Sequence, residues 1–156
     1  MAKKAKVEKE LRLEDILFNC RDQLRGKASM ADKRDLLLTL VFLRFIGEKF
    51  ANQRGIIYNE QIAKGRDPER DAEFIASKME YKPAYAKAGV FYLPEECRWE
   101  TIAAANADAT LPMTLDNIIN QLELDNAQLK GALPQKIFTS AGIAPKDLKA
   151  VIDEVG

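Results

Sequence analysis

The feature that most restricts how this chain can fold is a dense run of apolar residues between Leu36 and Phe50. On a helix drawn through the run, apolar side chains occupy almost every side: Leu36, Leu37, Leu38, Leu40, Val41, Phe42, Leu43, Phe45, Ile46 and Phe50. Such a helix is stable in water only when other helices surround it. Thr39 and Arg44 interrupt the run, which is too short for a membrane span of about 20 apolar residues. We therefore predict a central helix over about residues 30–54, wrapped by others.

Weaker helical patterns lie on both sides of this central helix. Before it, apolar residues recur every three or four positions up to Gly26, as on one face of a helix: Leu13, Ile16, Leu17, Cys20 and Leu24. After it, the polar turn 51–54 and Gly55 are predicted to end the central helix, and a separate short helix is predicted over 58–64. Residues 1–12 are rich in lysine and are predicted to form a basic flexible arm.

Capping residues, prolines and glycines mark the ends of the remaining helices. One helix is predicted from Asp67-Pro68 to Met79, another from Thr114 to no later than Gly131, and a third from Pro145 onward. A single helical turn is predicted at 101–106. The stretch Gly89-Val90-Phe91-Tyr92-Leu93-Pro94 instead favours extended structure. The predicted fold is mainly α. We expect one helical domain over 13–156, a bundle around the central helix with a short extended or hairpin segment near 89–99.

Composition excludes several classes of enzyme. Histidine is absent from all 156 residues, which removes Ser-His and Cys-His nucleophile pairs and nearly every catalytic zinc site. Cys20 and Cys97 are too few for a disulfide framework and too far apart for a metal knuckle, so each is predicted to be a small core residue in a reducing compartment. No glycines have the spacing that cradles a nucleotide or S-adenosylmethionine. We predict no catalytic, cofactor-binding or metal-binding residue in this chain.

Four basic residues form the first candidate binding site. Arg25, Lys27, Lys33 and Arg34 cluster around the predicted turn between the first two helices. Basic turns and helix starts commonly contact DNA phosphates, so this cluster is a candidate DNA-backbone contact. Solvated surface charge is the alternative. It is favoured by a balanced total of 24 basic and 24 acidic residues, because that balance creates no global attraction for nucleic acid.

A second candidate site combines two aromatic rings with a guanidinium group. Tyr92, Arg98 and Trp99 lie close together in the sequence. A buried tryptophan with arginine stacked on it would act as a structural latch, whereas an exposed set would offer a platform for stacking bases. The latch is the interpretation we favour.

Localisation is inferred by elimination. The basic N-terminus is not followed by the apolar stretch of a secretory signal, and the chain carries no candidate membrane span. A cytoplasmic protein with no membrane partner is expected.

Four segments, in order along the chain, resemble a known family. They are Asp22-Gln23-Leu24-Arg25-Gly26, Leu40-Val41-Phe42-Leu43-Arg44-Phe45-Ile46, Phe91-Tyr92-Leu93-Pro94-Glu95-Glu96-Cys97-Arg98-Trp99 and Leu129-Lys130-Gly131-Ala132-Leu133-Pro134. Together they are similar to the N-terminal helical domain of the modification (M) subunit of type I restriction–modification DNA methyltransferases. The likeness runs from about Leu13 to the C-terminus, and the third segment is its most specific part.

The resemblance implies a function that the residues alone do not indicate. Members of the family transfer a methyl group from S-adenosylmethionine to adenine, in a complex of two M subunits and one specificity subunit. Their cofactor motif and Asn-Pro-Pro-aromatic motif belong to a later domain, and no asparagine here precedes proline. The resemblance therefore implies an inactive accessory piece without its own cofactor, while the full-length subunit would use S-adenosylmethionine. The implied partners are the specificity subunit, the second M subunit, the restriction subunit and double-stranded DNA. The implied role is in clamping DNA and assembling the complex, and a purely structural protein–protein module is the alternative.

Overall fold

A computed structural model describes residues 30–156, with side chains from residue 34 onward. This part of the chain forms seven α-helices and two 3-10 turns, and it has no strand. The helices are α1 (Met30–Ala63), α2 (Ala72–Met79), α3 (Lys82–Lys87), α4 (Trp99–Ala104), α5 (Leu111–Asp125), α6 (Ile137–Ser140) and α7 (Pro145–Val155). The 3-10 turns are Glu95–Cys97 and Ala127–Leu129. The mainly α fold is confirmed, whereas the predicted arm 1–12 and the predicted helix ending at Gly26 lie outside the described residues.

The central position predicted for the apolar helix is also confirmed. Helix α1 packs against α2, α4, α6 and α7, and its side chains at Leu36, Leu40 and Leu43 are fully buried. The burial is not complete around the helix, because Leu38, Phe45 and Ile56 are each about half exposed. Other helices thus wrap most of α1 and leave one apolar stripe open.

Helix α1 is longer than the sequence pattern predicts, and the predicted end near Gly55 is wrong. The helix continues without a break through Gly55 and the predicted separate helix over 58–64, and it ends at Ala63. Its inner face continues too, since Ile57 and Gln61 are buried. Tertiary packing of that face offsets the about 1 kcal/mol that a glycine costs inside a helix.

The actual stop signal of α1 is a glycine ten positions later. Gly65 has a left-handed φ of 88°, and its N–H donates to the carbonyl of Ile62 at 3.0 Å. The N–H of Arg66 donates to the carbonyl of Gln61 at 3.1 Å. This pair of bonds is the Schellman arrangement, which satisfies the last carbonyls of a helix.

Two other helix starts are displaced from their predicted positions. Helix α5 begins at Leu111 rather than at Thr114, because Pro112 fits its first turn and Leu111 is buried. The side chain of Asp67 is a cap, as predicted, because its Oδ1 accepts the N–H groups of Glu69 and Arg70. It caps a turn, however, and α2 begins only at Ala72.

The C-terminal end of α2 and the start of α7 agree with the sequence pattern. Helix α2 ends at Met79, and Lys82-Pro83 opens the next short helix. Helix α7 begins at Pro145 as predicted, and four apolar residues on one of its faces are all buried: Leu148, Val151, Ile152 and Val155. Cys97 is fully buried, which confirms its predicted place in the core, whereas Cys20 lies outside the described residues.

The segment near 89–99, predicted to be extended or a hairpin, is partly helical, because Glu95–Cys97 form a 3-10 turn and Trp99 begins α4. Residues 90–94 are neither helix nor strand, and both backbone groups of Tyr92 bond to a side chain. The amide of the buried Asn126 accepts from the backbone N–H of Tyr92 at 3.2 Å and donates to its carbonyl at 2.9 Å. One asparagine thus replaces the neighbouring strand of a hairpin.

Among the helices described, none combines the length and apolar composition needed to traverse a lipid bilayer.

Candidate nucleic-acid interface

The predicted basic turn is only partly within the described structure. Arg25 and Lys27 lie outside the described residues, and Lys33 is described only as backbone of α1. Arg34 is 70% exposed, and its Nε lies 3.4 Å from Oδ1 of Asp35. An exposed pair of this kind contributes little to stability, so the guanidinium of Arg34 can exchange this partner for another anion. The DNA contact at this turn stays a prediction.

Two residues of the predicted latch meet at a carboxylate that the sequence analysis did not select. Glu80, directly after α2, accepts a hydrogen bond from the hydroxyl of Tyr92 at 2.7 Å. It also accepts from Nη2 of Arg98 at 3.2 Å and from Nη1 of Arg54. The three donors come from α1 and from the segment leading into α4, so Glu80 joins both of these to the end of α2.

Arg98 is held from several directions. Its Nε donates to the carbonyl of Leu93 at 3.1 Å, and its guanidinium carbon lies 4.9 Å from the ring centroid of Phe50. Phe50 in turn contacts the ring of Tyr92 at a centroid distance of 5.8 Å. The guanidinium of Arg98 thus lies over the ring of Phe50, and the latch of Arg98 with Trp99 stays a prediction.

Trp99 contacts the central helix at a glycine. It is half-buried, and a Cβ built on Gly47 of α1 would lie 2.8 Å from Cβ of Trp99. Gly47 therefore permits the close approach of α4 to α1. The indole Nε1 of Trp99 also lies near Gly156, because a Cβ built on Gly156 would be 3.3 Å from that nitrogen. Trp99 thus lies between α1 and the end of α7.

The electrostatics of the Glu80 cluster favour an internal role. Burial alone would raise the pKa of Glu80, but the hydrogen bonds from Arg54 and Tyr92 and the charges of Arg54 and Arg98 hold it below its ordinary value. Burial, with the adjacent Glu80 carboxylate, raises the pKa of Tyr92 to about 12. Tyr92 and Arg98 are thus both bonded to Glu80 within the chain, and the choice between a latch and a base-stacking platform stays a prediction.

A basic cleft that the sequence analysis did not identify lies at the other end of α1. It has a volume of about 480 Å³ and lies between the end of α1, the loop after it and α2. Its lining residues are Gln61, Lys64, Gly65, Arg66, Arg70, Phe74 and Lys78. The sequence conceals this cluster because acidic residues, among them Asp67 and Asp71, alternate with the cations along the chain.

Comparison with known proteins identifies a matching family model and a similar curated protein. A family model described as the HsdM N-terminal domain matches residues 13–155. Among curated proteins, the chain is similar to the type I restriction enzyme MjaIX methylase subunit of Methanocaldococcus jannaschii, with 27% identity over 143 residues. The match covers 90% of this chain and 25% of that relative, so the chain spans about a quarter of the relative's length.

Proposed function

Because this chain belongs to the HsdM N-terminal domain family, we propose that it is an accessory domain that helps a type I DNA methyltransferase hold its DNA and assemble its subunits. The family match over nearly the whole chain is the observation that carries this proposal. The partners we propose are duplex DNA, the specificity subunit, the second M subunit and the restriction subunit, in the cytoplasm.

Holding DNA would help the chemistry of the parent enzyme. A methyltransferase that acts on adenine rotates the base out of the duplex, which costs a few kcal/mol. Phosphate contacts made as a clamp closes release counterions and so offset part of that cost. The methyl donor, S-adenosylmethionine, would bind in the portion of the parent subunit beyond this chain, and we expect no methyl transfer from this chain alone.

The basic turn between residues 25 and 34 provides the first test of the clamp. In the full-length subunit assembled with its specificity subunit, Lys33→Glu is expected to weaken binding to all DNA sequences without changing the site recognised. The slope of log Kd against log salt should fall by about 1. Lys146→Glu, which changes an exposed lysine on α7, is the matched control. Equal salt dependence of the two variants would contradict a DNA contact at this turn.

A purely structural module is the second candidate function. The zero net charge favours it, because dedicated DNA-binding domains are usually basic, and the Glu80 cluster favours a structural role for Tyr92 and Arg98. A pull-down with the specificity subunit, run beside a low-salt gel shift with DNA, separates the two functions. Capture of the subunit without any DNA shift would support the structural module.

A further inference from the structure

The basic cleft at the end of α1 concentrates cations with little compensation. Four of its lining residues are basic, Lys64, Arg66, Arg70 and Lys78, and none is acidic. Within residues 34–156, only Arg70 of these four forms an ion pair, with Asp71 at 3.0 Å. Like charges gathered without partners repel one another, so an anion in the cleft would relieve that repulsion.

The two aspartates of the adjoining loop bond mainly to the loop itself, although Asp71 also pairs with Arg70 and its charge attracts Arg66. Oδ1 of Asp67 accepts the backbone N–H groups of Glu69 and Arg70 at 2.9 and 2.8 Å. Oδ2 of Asp71 accepts the N–H of Asp67 at 2.9 Å. The backbone bonds from Arg70 and Glu69 hold the pKa of Asp67 below its usual value. The pKa of Asp71 is lowered first by the side-chain hydrogen bond from Arg70 and then by the backbone bond from Asp67.

An aromatic ring orients two of the cations. The guanidinium carbon of Arg66 lies 3.9 Å from the ring centroid of Phe74, and Nζ of Lys78 lies 5.3 Å from the same centroid. A guanidinium that stacks on a ring keeps its N–H edge free for a bidentate bond to phosphate. The stacking also reduces the entropy that Arg66 loses when it binds an anion.

We propose that this cleft binds the phosphodiester backbone of duplex DNA, through Lys64, Arg66 and Lys78. The inference rests on the proposed function and adds a second DNA contact to it. Helix α1 has 34 residues, so its two ends are separated by about 50 Å at a rise of about 1.5 Å per residue. The cleft and the turn around Arg34 therefore cannot contact the same phosphate, and each can be removed by mutation without the other.

The test measures binding of the whole chain to a mixed-sequence duplex by fluorescence anisotropy over a salt series. Arg66→Gln combined with Lys78→Gln is expected to lower the slope of log Kd against log salt by about 1.8, since each lost phosphate contact removes about 0.9. The control combines Lys87→Gln with Lys130→Gln, two exposed lysines outside the cleft. Thermal unfolding of both variants, followed by circular dichroism, verifies that they fold.

The possible results distinguish the cleft, the proposed function and an acidic protein partner. A slope that falls only in the cleft variant supports the proposal, and retention of the wild-type slope in the charge-preserving variant Lys78→Arg strengthens it. A cleft variant that behaves like the control, while Lys33→Glu still weakens binding in the assembled enzyme, overturns the cleft and leaves the proposed function standing. If the wild-type chain binds no DNA at low salt and Lys33→Glu is without effect, both proposals fail. Binding of polyglutamate as tight as that of DNA would overturn the assignment to DNA and indicate an acidic protein partner.

Discussion

Two glycines inside the same helix should respond in opposite ways to an added methyl group. Alanine is about 1 kcal/mol more favourable than glycine in a helix interior. At Gly55 a new Cβ would have no atom within 4 Å. Gly55→Ala should therefore raise the free energy of unfolding by about 0.5–1 kcal/mol.

At Gly47 the same methyl group meets an obstacle that cannot rotate away. Its Cβ would lie 2.8 Å from Cβ and 3.3 Å from the backbone nitrogen of Trp99. Both atoms belong to the first residue of α4, so α4 has to shift away from α1 as a unit. Such overpacking costs about 1–3 kcal/mol. After subtraction of the helix-propensity gain of about 1 kcal/mol, Gly47→Ala should lower the free energy of unfolding by about 1 kcal/mol.

Urea unfolding provides the measurement. Circular dichroism follows the helices, and the fluorescence of Trp99, the one tryptophan in the chain, reports the contact between α1 and α4. The two variants should differ by about 2 kcal/mol in the free energy of unfolding. Equal stabilisation by both would refute the close approach of α4 to α1. Destabilisation by Gly55→Ala would refute the continuity of α1 through that residue.

Three further predictions concern single side chains. Glu80→Ala should lower the free energy of unfolding by about 2 kcal/mol, because it removes the acceptor of three donors at a partly exposed site. The pKa of Glu80 is lowered in the folded chain. In urea titrations the stabilisation by Glu80 should therefore be present above about pH 4.3 and lost as the pH falls further. Tyr92→Phe should cost about 1 kcal/mol at neutral pH. The pKa of Tyr92 is raised to about 12. The contribution of its hydroxyl to the free energy of unfolding should therefore be full below about pH 10 and disappear as the pH rises through the folded pKa. A Tyr92→Phe penalty that is the same in strong alkali would contradict this. Burial raises the pKa of the Cys97 thiol to about 12, which keeps it unreactive. Mass spectrometry after iodoacetamide treatment of the native protein should therefore find Cys97 unmodified. Rapid alkylation of Cys97 would show that the core is open.

The sequence predicted those parts of the fold that depend on local pattern. The apolar run of α1 indicates a helix surrounded by others, and Pro145 marks the start of α7, because each signal lies within one short stretch of the chain. The end of α1 could not be predicted in this way. Gly55 and Gly65 are both possible stops, and only the packing of Ile57 and the left-handed backbone at Gly65 decide between them.

The contacts that define the candidate sites depend on residues far apart in the chain. Glu80 and Arg54 are 26 positions apart, and no spacing rule connects them. The cleft brings Lys64, which follows α1, together with Lys78 of α2, and a count of charges does not reveal this. A signal was present nonetheless, because Arg66, Phe74 and Lys78 bring two cations and an aromatic ring within thirteen positions around a predicted helix start.

The bond between Asn126 and Tyr92 has a consequence for how copies of this protein meet one another. The segment Val90-Phe91-Tyr92-Leu93 is aromatic and β-branched, a composition that in an unpaired edge invites a strand from a second molecule. Here Val90 donates its N–H to Tyr85, Asn126 occupies both backbone groups of Tyr92, and Arg98 occupies the carbonyl of Leu93. The amide of Asn126 and the guanidinium of Arg98 thereby occupy backbone groups that would otherwise be available to pair with a strand of a second molecule.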